Sequence, residues 1–145
     1  MATTTATITL SSTDLLTDEL ALSTTCTLTK TTTSTGIEDT TGLTRKKITS
    51  TAKGTASGQV TLYTADDFAA IPYLYIKNLE TTVGNRIFIY DDTTSGDPLQ
   101  FQLDAGDWAF IPMHGDKTYK AYATTNPTSI EFMVMGQDQL KQNNN

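Results

Sequence analysis

Leu99-Gln100-Phe101-Gln102-Leu103 alternates apolar and polar residues without a break. Successive side chains of a strand point to opposite faces, so this pattern describes a ribbon with one buried side and one wet side. Ala105-Gly106-Asp107 then supplies a turn, and Trp108-Ala109-Phe110-Ile111 opens a second apolar run that Pro112 closes. The same texture continues in both directions. Upstream lie Ile71-Pro72-Tyr73-Leu74-Tyr75-Ile76 and Arg86-Ile87-Phe88-Ile89-Tyr90, separated by Gly84-Asn85; downstream lie Tyr119 to Ala123 and Ile130 to Met135, separated by Asn126-Pro127. Six short strands at close spacing, with turn formers between them, predict an all-β antiparallel sandwich of jelly-roll type and not a βαβ fold.

The front of the chain reads differently. Thr supplies about one residue in five overall, and a β-branched residue fits a half-exposed strand better than a helix. Thr7-Ile8-Thr9-Leu10, Leu20-Ala21-Leu22 and Cys26-Thr27-Leu28 alternate weakly and carry only modest apolar residues, as edge strands or an arm would. Texture divides residues 1–145 into a Thr-rich arm and edge-strand region (1–65), an aromatic-rich sandwich core (66–136) and a polar tail (137–145), all in one domain. Leu43 to Thr51 is a strand or an extended arm, and short helical turns are expected at Ser12 to Leu16 and from Thr64, with Asp66 and Asp67 at its start. Trp108, Tyr73, Tyr75, Phe88 and Phe110 are expected in the core, which would make Trp108→Ala cost about 3–5 kcal/mol.

Composition narrows the chemistry. A net charge of −6 and a pI near 4.5 oppose binding to a phosphate backbone, so no nucleic-acid partner is expected. No apolar run approaches the roughly 18 residues of a membrane span, and no basic region precedes an apolar one at the N-terminus, so neither a membrane partner nor a standard export signal is expected. One cysteine, Cys26, and one histidine, His114, cannot assemble a disulfide, a zinc site or a nucleophile–base pair of the usual kind. Gly106 to Gly115 resembles part of the second conserved segment of cupins, but a single imidazole leaves the cupin ligand set incomplete. Paired carboxylates at Asp66-Asp67 and Asp91-Asp92 sit beside turn residues, as solvated loop groups do. Asp91, Asp92 and Asp97 cluster enough oxygens for a minor Ca²⁺ candidate without EF-hand spacing. No cofactor, no catalytic residue and no enzyme activity are expected. The basic cluster Arg45-Lys46-Lys47 and the apolar edge residues Ile8 and Leu10 are the candidate partner contacts.

Ile8 to Asp18, Ser34-Thr35-Gly36-Ile37, Thr41 to Arg45, Leu74 to Leu79 and Leu103 to Pro112 together resemble small β-sandwich virion proteins of tailed bacteriophages, especially of marine and cyanobacterial phages. The resemblance implies a capsid cement or decoration protein on the virion surface, with the major capsid protein and copies of itself, as a homotrimer, for partners. Neck, tail and fibre proteins share such folds, and the alternative it implies is a structural protein there with a receptor- or carbohydrate-binding role.

Overall fold

The computed structural model describes residues 3–12, 20–29, 39–54, 57–68, 72–93, 96 and 98–136. Strand formers dominate these segments, and every regular element among them is a strand. The chain falls into two compact units, residues 1–37 and 38–145.

In the first unit, Thr3–Ser12 (β1) pairs antiparallel with Leu20–Thr29 (β2) over ten residue pairs, from Thr3 opposite Thr29 to Ser12 opposite Leu20. The two pieces expected at 20–22 and 26–28 are therefore one continuous strand. Directly opposed residues share a face of the ribbon. One set of positions is Thr3, Thr5, Thr7, Thr9 and Ser11 with Thr29, Thr27, Thr25, Ser23 and Ala21, all small and nearly all hydroxylated. The other set is Thr4, Ala6, Ile8, Leu10 and Ser12 with Leu28, Cys26, Thr24, Leu22 and Leu20, seven of the ten apolar. Neither strand contains a charged residue. The helical turn expected near Ser12 to Leu16 falls, beyond Ser12, outside the described residues.

The second unit is an antiparallel sandwich. Its strands are Asp39–Thr40 (β3), Thr44–Ile48 (β4), Val60–Tyr63 (β5), Tyr73–Asn78 (β6), Ile87–Asp91 (β7), Leu99–Leu103 (β8), Trp108–Pro112 (β9), Tyr119–Ala123 (β10) and Thr128–Gly136 (β11). One sheet runs β5-β10-β7-β8; the other runs β3-β11-β6-β9, with β4 also on β11 beside β3. Thr41 joins the two short strands into one interrupted edge: its N–H donates to Val134 O at 2.9 Å and its hydroxyl accepts from Val134 N–H at 3.0 Å. From β4 onward the chain changes sheet at every connection except β7 to β8.

Strict alternation on β6 puts Leu74, Ile76 and Asn78 inside. They meet Ile87 and Ile89 of β7, Ile130, Phe132 and Val134 of β11, and Ile48, Val60 and Leu62 from the front of the unit. The core therefore takes in Ile48, Val60, Leu62 and Tyr63, ahead of residue 66. Strand β5, unforeseen in the sequence reading, carries its own alternation in Val60-Thr61-Leu62, whose outer two residues are buried. At Thr64 the expected helical start is a turn instead: Thr64 N–H donates to Asp67 Oδ2 at 3.2 Å, Asp67 N–H returns to Thr64 O, and Asp66 adopts φ +66°.

The largest correction concerns the aromatics. Trp108 is 52% exposed, and Tyr73, Tyr75, Phe88 and Phe110 are only half-buried. Branched aliphatic residues take the interior in their place. Two sheets packed face to face leave a slab about 10 Å thick, which branched side chains in adjacent rows fill together with the buried rings of Tyr63, Tyr119 and Phe132, while the opposite parity of β6, β7 and β9 carries Tyr73, Tyr75, Phe88, Trp108 and Phe110.

Candidate functional site

The outer face of the β4-β11-β6-β9 sheet gathers most of the displaced rings. On β6 the outward residues are Tyr73, Tyr75 and Lys77. Register sets them opposite Pro112, Phe110 and Trp108 of β9 on one side, and opposite Met135, Met133 and Glu131 of β11 on the other. Tyr73 and Phe110 stack with centroids 5.7 Å apart. Beyond β11, Arg45 faces Glu131 and Lys47 faces Ser129. One straight row thus crosses four strands: Trp108, Lys77, Glu131, Arg45.

The polar end of this row is held by directed bonds. Arg45 Nε donates to Glu131 Oε2 at 2.7 Å, and the Tyr75 hydroxyl donates to Glu131 Oε1 at 3.3 Å. The Arg45 side chain is 73% exposed and that of Glu131 only 10%, so the carboxylate acts as a seat for a guanidinium that faces water. The Arg45 hydrogen bond is the main cause holding the Glu131 carboxyl below the usual carboxylate range. Partial burial pushes the Tyr75 hydroxyl up, reinforced by the Glu131 charge.

Of the basic cluster read from the sequence, Arg45 and Lys47 lie on this outer face, while Lys46 lies on the other side of the same edge strand, also exposed. The sequence reading missed Lys77, Glu131 and Met133 as members. For Lys77 the signal was present in the parity of β6, where it shares alternate positions with Tyr73 and Tyr75; Glu131 and Met133 join through the β6–β11 register alone. A smaller ring cluster occupies the opposite sheet, where Phe88 stacks on Tyr122 at 4.9 Å and Tyr90 meets Tyr122 edge-on at 5.9 Å.

The other candidate contacts, Ile8 and Leu10, lie on the hairpin. They are 43% and 51% exposed, and Leu22, directly opposite Leu10, is 47% exposed. On the other face, the Thr7 and Thr25 hydroxyls hydrogen-bond across the strands at 3.2 Å.

The candidate calcium loop is not assembled by its described members. Asp91 is buried and its Oδ1 accepts from Thr93 N–H at 2.7 Å, closing a turn; Asp92 ion-pairs with Lys120. Asp97 lies outside the described residues. Among the described residues no three His, Cys, Asp or Glu side chains gather as a metal site would need. His114 is exposed and contacts Asp116 through Nδ1 at 2.7 Å. Asp66 and Asp67 are exposed loop residues, with Asp67 used by the turn at Thr64. No family model, curated protein or solved structure matches the chain.

Proposed function

We propose that the chain is a non-catalytic structural subunit of a phage virion: a cement or decoration protein on the capsid surface that binds the major capsid protein and copies of itself, as a homotrimer. One observation carries this reading. The chain devotes a separate unit to an uncharged ribbon of two ten-residue strands, with Ile8, Leu10 and Leu22 turned to solvent. A two-stranded ribbon alone is marginal in water, and edges without Lys or Pro are undefended against pairing. Such an element gains stability when neighbouring chains cover its aliphatic face or extend its edges by strand addition. The strand orders β5-β10-β7-β8 and β4-β11-β6-β9 support the jelly-roll reading of the sandwich, because from β4 onward consecutive strands interleave between the four-stranded and the five-stranded sheet.

A subunit that binds the assembled shell and not its separated pieces stabilises the shell by mass action. An interface of about 800 Å² per partner suffices when many copies bind together. The test is to compare particles carrying the wild-type chain, the Ile8→Lys/Leu10→Lys variant, or no copy. Particles lacking the chain should lose surface density in electron micrographs and break at lower temperature, and the double variant should fail to restore either. An intact, equally heat-resistant shell without the chain overturns the reading, and a handful of copies per particle would move it to the neck, tail or fibre.

A further inference from the structure

We propose that the outer face of the β4-β11-β6-β9 sheet binds a neutral oligosaccharide, with a sugar ring stacked on Trp108 and hydroxyls hydrogen-bonded to Arg45 and Lys77. The inference is independent of how the chain assembles. A pyranose ring has an apolar face of C–H groups and a rim of hydroxyls, so a site for it combines an accessible ring with a few fixed donors and acceptors. This face has both. Trp108 is half-exposed at the start of β9, directly opposite Lys77, while Phe110 and Tyr75 lie opposite one another in the next outward row. At the far end Arg45 is held through Nε on Glu131, and among the described residues its remaining guanidinium N–H groups stand as donors in a fixed plane. Trp108, Lys77, Glu131 and Arg45 occupy adjacent strands in register, and three strand spacings amount to roughly 14 Å. A short extended oligosaccharide covers that span.

Charge selects the sugar over other occupants of a basic, aromatic sheet. Single-stranded nucleic acid stacks on rings but threads its phosphates along cations. Here Glu131, ionised and seated between Lys77 and Arg45, interrupts the cationic row, and the chain carries a net charge of −6. Both features repel a polyphosphate. Hydroxyl groups tolerate alternating charge, because each can donate to a carboxylate and accept from a cation. An acidic protein surface would meet the same interruption.

Trp108 is the only tryptophan, so its fluorescence reports contact with the platform directly. The full chain is titrated with maltotetraose, cellotetraose, mannotriose and chitotetraose up to millimolar concentration, with an oligothymidylate as the competing class. Saturable change in tryptophan emission is expected with at least one saccharide and none with the oligothymidylate. Calorimetry with that saccharide should then show Trp108→Ala and Arg45→Ala each weakening binding by about tenfold or more, and Gln102→Ala, on the opposite sheet, leaving it unchanged. Circular dichroism verifies that the variants keep the sandwich. No response to any saccharide, saturation by the oligothymidylate instead, or folded variants of Trp108 and Arg45 that bind as tightly as wild type would each overturn the proposal.

Discussion

Asn78 shows how much one side chain at the end of a strand can hold. It is fully buried, and its Nδ2 donates to the carbonyls of Asn85 at 2.8 Å, Asp104 at 3.0 Å and Leu103 at 3.3 Å, while its Oδ1 accepts from Glu80 N–H at 3.2 Å. Two connections, β6 to β7 and β8 to β9, thus close around one amide. Asn78→Leu would leave buried carbonyls without donors, and urea unfolding should show a loss of about 2–4 kcal/mol. Gly58 is constrained differently. It sits at φ +84°, and a Cβ there would lie 2.4 Å from Thr49 Oγ1 and 2.8 Å from Ser50 N. Gly58→Ala combines strain with overlap and should cost about 1–3 kcal/mol. Trp108→Ala reverses the expectation drawn from the sequence: with half its surface in water, the residue should contribute under about 1 kcal/mol to stability, whereas Leu74→Ala should cost about 2–5 kcal/mol. Paired denaturant curves for these two variants measure the outward display of the rings.

At the scale of elements, β11 organises the sandwich. It is the longest strand of that unit and pairs with β3 and β4 on one edge and β6 on the other. The Arg45–Glu131 ion pair ties β4 to it and makes this edge sensitive to acid. Because the carboxyl is held below its ordinary value in the fold, the stabilisation is complete above the unfolded value of 4.5 and fades as pH falls through the lower folded value. Thermal melts of wild type and Glu131→Gln should therefore differ at neutral pH and converge in acid. The basic run Arg45-Lys46-Lys47 was visible from composition. That Arg45 and Lys47 share a face with Trp108 was not, because cross-strand register joins residues some sixty positions apart and depends on which strands become neighbours.

For the whole molecule, alkali is the opposing limit. Burial raises the hydroxyls of Tyr63 and Tyr119 above the ordinary tyrosine value of 10.0. Their contribution is fully present below pH 10.0 and is lost as pH rises through the folded values, so unfolding midpoints should fall steeply only above that point. The division into two units sets a further expectation. In the isolated chain, hydrogen exchange should be slow in β6, β7, β10 and β11, whose ladders have neighbours on both edges, and fast in β1 and β2; assembly should slow the hairpin selectively. Equal protection of both units in the free chain would remove the case for a ribbon completed by neighbours.

Alternation and turn residues by themselves determined the strand content, the antiparallel class and most strand positions between Tyr73 and Met135, because a period of two is a local property that needs no partner. They also marked Ile8, Leu10 and Arg45 to Lys47 as surface candidates. Only the tertiary structure decided which parity of each strand faces inward, where the core begins, and that Glu131 sits between Lys77 and Arg45. Both faces of β6 are apolar or aromatic enough to be buried. The choice between them rests on how branched aliphatic side chains from two sheets interlock, a property of the packed pair that no single segment contains.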